Sequence, residues 1–325
     1  MKLKHLTLFA AMAALLLGTS CAKDDDPLAG TVAVTFIAHL PESIESRAIG
    51  DGTKANELFF WVYDENGQEY VELRQKNLEF DQTNASRVTA HLVPGHTYKF
   101  AFWAQAVGSD AYDPDNSNIV QLFYDGAKCN DELRDAFYGW IPNLTVSAEG
   151  NITQDITLTR KLAQLNVGLS LEGYEAAKAA GFDLEDYESE ITISNETAAA
   201  YSAFNLTTGG PVLDDWEMEK SEVTFEYAPH PTEHLNAEDK EWKYLALNYF
   251  LPLVDDYTLV NVTMTLRHKQ DHSKVIRFDT WPNIGVKGYK RTNILIRSIT
   301  EPTVFRVAID SNFDNLDYNL TPDDN

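Results

Sequence analysis

Hydrophobic residues recur at every second position early in the chain: Val32, Val34, Phe36, Ala38 and Leu40 share one face, with Thr35 and His39 on the other. That period of two predicts a strand with one buried face over residues 31–40. Residues 58–63 are apolar throughout, the pattern of a central sandwich strand covered on both sides. Asp64-Glu65-Asn66-Gly67 follows. An Asn-Gly pair turns one strand back on another, so a partner strand is expected over 68–73. Val88, Ala90 and Leu92 alternate, Pro94-Gly95 turns the chain, and Tyr98, Phe100 and Phe102 alternate again. A polar loop covers 105–117, a strand follows at 119–124, and Gly150-Asn151 separates strands at 144–147 and 152–158.

A second unit begins near Lys161 with a strand over 162–171 and one short helix over 172–180. Further strands are expected at 191–194, 223–227, 244–252, 258–267, 274–278, 291–296 and 303–310. Short strands punctuated by turn residues at this spacing predict an all-β protein with few short helices. Two antiparallel sandwiches in series, over 31–160 and 161–325, are the economical architecture.

The segment before the first strand has a different character. Lys2 and Lys4 precede an apolar run over 6–17, then Gly18-Thr19-Ser20-Cys21. A basic start, a short apolar stretch and small residues before a cut site make residues 1–20 a secretory signal peptide. The run is too short to cross a bilayer. Cys21 sits where a lipoprotein pathway attaches diacylglycerol, and two or more acyl chains give stable anchoring. Residues 21–30 form an acidic linker. Once Cys21 is acylated, Cys129 has no partner for a disulfide and is expected to be a small buried residue.

The chain carries 26 Lys and Arg against 50 Asp and Glu, a formal net charge of −24. A surface this negative repels phosphate backbones, which excludes nucleic acid as a partner. Candidate chemistry is sparse. His230-Pro231-Thr232-Glu233-His234 matches a zinc-peptidase pattern in letters, but that chemistry needs both imidazoles on one helical face. The flanks lack a helical apolar stripe, so a polar loop is expected. His268 and His272 span a hairpin turn. Asp113 and Asp115 begin like a calcium loop but lack its later glycine and glutamate. With no phosphate loop and no nucleophile elbow, the expectation is a non-enzyme that needs no cofactor and no metal.

Arg47, in Ser46-Arg47-Ala48, follows the first strand and precedes Gly50-Asp51-Gly52. An arginine in a polar connection is a natural site for an Arg-specific protease, and it also reads as an ordinary loop residue. Together with Cys21 and its acidic spacer, this segment resembles the fimbrillins, the type V pilins. The likeness continues in Trp61-Val62-Tyr63 and in the run 156–167 that ends Arg160-Lys161-Leu162-Ala163-Gln164-Leu165-Asn166-Val167. It returns in Tyr289-Lys290-Arg291-Thr292-Asn293-Ile294 and over 305–313.

The resemblance implies two transthyretin-like β-sandwich domains and export as a lipoprotein to the surface of the outer membrane. It also implies polymerisation with other fimbrial subunits by strand exchange, serving adhesion to a host glycan or protein. Cleavage between Arg47 and Ala48 would release the lipid with the first strand (Val32, Val34, Phe36, Ala38, Leu40). The tail Leu316-Asp317-Tyr318-Asn319-Leu320 alternates and is a candidate donor strand, with a frayed terminus as the other reading. A permanently lipidated anchor or accessory subunit fits the same motifs. A surface glycan-binding lipoprotein, with Trp61, Trp103 or Trp140 as stacking platforms, is the reading from a different class.

Overall fold

The alternation at the start of the chain becomes strand β1, Val32–His39, in which every second side chain is buried. The computed structural model describes residues 30–41, 52–80, 86–115, 118–230, 242–278, 280–299, 305–310 and 319–320. The next strands are β2 (Glu57–Asp64), β3 (Gln75–Glu79), β4 (Ser86–Leu92), β5 (Thr97–Gln105), β6 (Ile119–Leu122), β7 (Phe137–Thr145) and β8 (Ile152–Thr157). β1 lies in the middle of a three-stranded sheet, antiparallel to β4 and parallel to β8. A second sheet runs Thr159–Arg160, β7, β5, β2, β3. Val34, Phe36, Leu58, Phe60, Val62, Phe100 and Phe102 fill the space between these two sheets.

The second half repeats the arrangement. It contains β9 (Ala163–Ser170), α1 (Leu171–Ala179), β10 (Tyr187–Ser194), β11 (Ala203–Asn205), β12 (Glu222–Pro229), β13 (Trp242–Phe250), β14 (Thr258–His268), β15 (Val275–Arg277), β16 (Trp281–Val286), β17 (Arg291–Ile296), β18 (Phe305–Asp310) and β19 (Asn319–Leu320). One sheet has the order β13-β9-β17-β18-β19 and the facing sheet the order β12-β10-β14-β15, with β16 also on β14. β9, like β1, is antiparallel to one neighbour (β13) and parallel to the other (β17). The fold is all-β and sandwich-like as expected, but the sheets are not purely antiparallel. In each half the first strand is gripped by a strand that arrives much later in the sequence.

β2 is apolar on both faces because two cores claim it. Leu58, Phe60 and Val62 point into the first core, whereas Phe59, Trp61 and Tyr63 join Trp103 and Tyr138 in a second core continuous with the C-terminal half. A small sheet pairs β6 with β11, so strands from both sides of residue 160 share one ladder. A polar seam lies on β9 and β17, where Asn166 donates to Asn293 (2.8 Å) and Gln164 to Asn166 (3.1 Å), all three buried.

Two local expectations are corrected. Residues 68–73 are a turn rather than a strand. The Asp64 carboxylate accepts the amides of Asn66 and Gln68 (both 2.8 Å), a 3-10 turn closes at Val71–Leu73, and β3 supplies the pairing instead. β16 was not anticipated, because Pro282 and Gly285 weaken a strand pattern; it pairs with β14 through an irregular register.

Candidate functional site

The first strand and its slot form the best-defined candidate site. Val34, Phe36 and Ala38 are fully buried, and Val32 and Leu40 nearly so. Phe36 sits among three rings, at centroid distances of 4.6 Å from Phe100, 5.4 Å from Phe102 and 5.7 Å from Phe60. Opposite faces of β1 do different work. On the outer face Thr35 shares a hydroxyl hydrogen bond with Thr89 of β4 (2.9 Å), and His39 meets Asp155 of β8 (3.0 Å). Beyond β1, the Leu158 amide donates to the His39 carbonyl (2.8 Å).

The chain leaves this core at Leu40 and returns to it at Gly52 and Ala55. Gly52 has φ +81°, and a Cβ there would lie 2.5 Å from Phe137, so the return point admits only glycine. Between them, residues 42–51, which carry Arg47 and Ala48, lie outside the described residues. So does Cys21. Burial of the four large side chains Val32, Val34, Phe36 and Leu40 contributes on the order of 6–12 kcal/mol gross, at ~1.5–3 kcal/mol each. Loss of the strand would also turn β4 and β8 into two facing open edges.

The tail divides between described and undescribed residues. Leu316 and Tyr318 lie outside the described residues, whereas Leu320 falls in β19, which pairs antiparallel with β18 at Val307 and Ala308. This short strand therefore sits on the edge of its own C-terminal sheet.

Other residues singled out by sequence are placed as follows. Trp61 and Trp103 are fully buried, which removes them as sugar-stacking platforms; Trp103 donates to Gln105 (2.9 Å). Trp140 is partly buried against Tyr63. The second core covers these rings; the run of apolar residues over 58–63 announces that cover for Trp61, whereas the alternation of Tyr98, Phe100 and Phe102 leaves Trp103 on the other face of β5. His230 directly follows β12 with its Nδ1 buried, and burial pushes its pKa down to about 4. His234 lies outside the described residues. His268 Nδ1 accepts from the amides of Gln270 and Asp271 (both 3.1 Å), the geometry of a turn. Asp115 pairs with Lys76. Among the described residues no group of three or more His, Cys, Asp and Glu side chains is placed to hold a metal. Cys129 is buried, and burial pushes its thiol up to about 12, so it stays protonated and unreactive. Among the described residues no helix is long and apolar enough to cross a membrane.

These features define a class: an all-β sandwich protein in which the opening strand of each half is held between two neighbours. The chain belongs to a family of unknown function, DUF6562, whose model matches residues 26–323. No curated protein matches it. Among solved structures it is similar to a DUF1812 protein of Bacteroides thetaiotaomicron, at 15% identity and TM-score 0.48, over 91% of this chain and 99% of that one. It is also similar to the fimbrial anchor protein Mfa2 of Porphyromonas gingivalis, at 12% identity and TM-score 0.45, over 90% and 99% of the two chains. A fimbrial assembly protein of Parabacteroides distasonis shares 12% identity at TM-score 0.42, over 86% and 94%.

Proposed function

We propose that this chain is a non-enzymatic structural subunit of surface fimbriae. It is exported as a lipoprotein through Cys21, cut between Arg47 and Ala48 and assembled by strand exchange. The observation that carries the reading is the position of β1 between antiparallel β4 and parallel β8. An edge strand could be lost with little consequence, but a middle strand leaves a slot with unpaired backbone on both sides and an open apolar floor. Such a slot seeks a replacement strand from another chain. Val32, Val34, Phe36, Ala38 and Leu40 define what a replacement must supply: apolar side chains at alternate positions, with room for one ring among Phe60, Phe100 and Phe102.

The test is N-terminal sequencing of the surface-displayed protein together with assembly of purified precursor. An Arg-specific protease should yield a species beginning at Ala48, and only that species should polymerise. Fibres whose subunits keep the intact N-terminus would overturn the proposal.

One observation favours a second reading, a permanently lipidated anchor. Asn319 and Leu320 pair with β18 of their own sheet, and a tail engaged in cis is not offered to a neighbour. In that case the subunit accepts or caps a fibre, keeps β1 and stays on the outer membrane. Recovery of Cys21-linked lipid on the fibre-associated protein distinguishes the two.

A further inference from the structure

β12 is the edge strand of its sheet, and only one end of its outer side is covered. Asn195 donates its amide to the Ser221 carbonyl (2.8 Å), and Ser194 and Thr192 stand opposite Glu222 and Thr224. In an antiparallel ladder that phase turns the amides and carbonyls of Glu222 and Thr224 away from β10. Those of Glu226 also face outward, and both are used: the amide donates to the Ala127 carbonyl (2.8 Å) and the carbonyl accepts from the Cys129 amide (2.9 Å). Among the described residues nothing pairs with Glu222 and Thr224 on that side. The cause is a turn. Residues 127–129 run parallel to β12, with Lys128 opposite Glu226. Just before them Gly126, at φ +73°, bends the chain off the edge, and the Ala127 amide closes the turn on the Tyr124 carbonyl (3.0 Å).

The two unpaired rungs open into a cleft of about 530 Å³ between β12 and residues 121–126. Its far wall is fixed, because Tyr124 donates its hydroxyl to the Tyr201 carbonyl and accepts from the Leu251 amide (both 3.0 Å), and Arg134 donates to the Phe123 carbonyl (2.7 Å). The short segment already on this edge shows what fits it. Ala127 and Cys129 are buried, whereas Lys128 is exposed and pairs with the Glu226 carboxylate. Apolar and basic side chains thus alternate, as an extended segment with one inward face requires. The open rungs offer the same two environments. Phe123, 44% exposed, and Met218 give apolar contact, while the carboxylates of Asp125, Glu217 and Glu222 have no cationic partner among the described residues. Lys220, the cation in the lining, donates to the Glu217 carbonyl (3.3 Å).

We infer that Glu222 and Thr224 receive an added strand: an extended segment of a partner protein in which basic and apolar residues alternate. Main-chain hydrogen bonds to β12 supply the affinity and the alternation supplies the selectivity. An unpaired edge attracts strands of any kind unless charge restricts them. Here the carboxylates make that restriction: a second copy of this chain, with a net charge of −24, is repelled, and a basic strand is drawn in. The inference is independent of whether β1 is ever released.

The test uses the full mature chain with Cys21→Ser and a set of end-blocked peptides titrated by calorimetry at physiological ionic strength. One alternates lysine and valine; a second has the same sequence N-methylated throughout, which keeps the charges and loses every amide donor; a third alternates glutamate and valine. The lysine–valine peptide should bind and slow amide exchange at Glu222 and Thr224, and the glutamate–valine peptide should not bind. Blocking the main-chain bonds should weaken binding about ten-fold or more, whether by N-methylation or by Thr224→Pro, which removes an amide that β10 does not use. Glu222→Gln should weaken it as well. Circular dichroism checks that the variants fold, and the N-methylated peptide poses the same question to the unaltered chain. Equal affinity for the N-methylated peptide would mean contact by charge alone and would overturn the assignment. So would a lysine–valine peptide that fails to bind, a glutamate–valine peptide that binds as tightly, or affinity indifferent to Thr224→Pro. A dimer of the free chain that Thr224→Pro dissociates would give the edge to a second copy and overturn it too.

Discussion

Arg160, the last residue of the first half, grips Asp135, with Nε 2.9 Å from Oδ1 and Nη2 2.7 Å from Oδ2, and both side chains are almost wholly buried. The guanidinium also lies over the Phe137 ring, 4.8 Å from its centroid. Arg160 thus ties the strand that leaves the first half to the 3-10 turn Glu132–Arg134, which Asp135 closes.

Removing one member of such a pair leaves the other charged, buried and unmatched. Asp135→Ala is expected to cost about 3–5 kcal/mol. Glu226→Ala, which breaks the exposed pair with Lys128, should cost less than about 1 kcal/mol. Urea unfolding of the mature chain compares them. Equal effects would show that Arg160 finds another partner, or water, when Asp135 is gone.

The Phe36 slot makes a second comparison possible. Phe36→Ala removes a fully buried ring from between three others and should destabilise by about 3–5 kcal/mol. Thr35→Ala changes only the outer face of the same strand and should cost at most about 1 kcal/mol, the worth of one exposed hydroxyl contact. If both variants unfold at the same urea concentration, β1 is not held by its apolar face, and the slot argument loses its energetic basis.

Gly139 on β7 is needed for space rather than for backbone freedom. A Cβ there would stand 2.5 Å from Leu158 Cδ2 and 2.9 Å from Ile156 Cδ1. Gly139→Ala is expected to destabilise by about 1–3 kcal/mol through overpacking. Shortening the facing side chain in Gly139→Ala/Leu158→Val should recover part of that loss. Strictly additive losses in the double-mutant cycle would mean the clash is relieved elsewhere.

How much of this was legible in the sequence depends on the range of the interactions. β1 was readable because its alternation is local. The helix was readable within a residue at each end, since Ser170 caps α1 by accepting from the Gly173 amide (3.0 Å). The turn at 68–73 was not, because two side chains compete with the ladder there: Asp64 captures two amides, and Glu69 is held by Arg74 at 2.6 and 2.7 Å. The parallel pairings of β1 with β8 and β9 with β17 join residues more than a hundred positions apart, which no local pattern encodes. Trp103 looked like a candidate for a surface for the same reason: Phe204, which packs on it at a centroid distance of 5.4 Å, comes from the other half of the chain.

His230 gives the clearest pH dependence. Burial is the main cause of its low pKa of about 4; Lys269 and Lys243 push in the same direction and Glu185 opposes them. In the unfolded chain the imidazole titrates near 6.5. Between those values the unfolded state holds a proton that the folded state lacks, so stability rises with pH. The contribution is complete above about pH 6.5 and is lost as the pH falls toward 4. At ~1.4 kcal/mol per pKa unit it amounts to on the order of 3–4 kcal/mol. His230→Gln removes the titrating group, and because Nδ1 has no hydrogen-bond partner among the described residues, little else is lost at neutral pH. Carboxylates titrate over the lower part of the same range, so the informative quantity is the difference between the two proteins. Urea midpoints measured from pH 7.5 to 4.5 should fall less for His230→Gln than for the parent chain. Superimposable profiles would place the ring in contact with solvent.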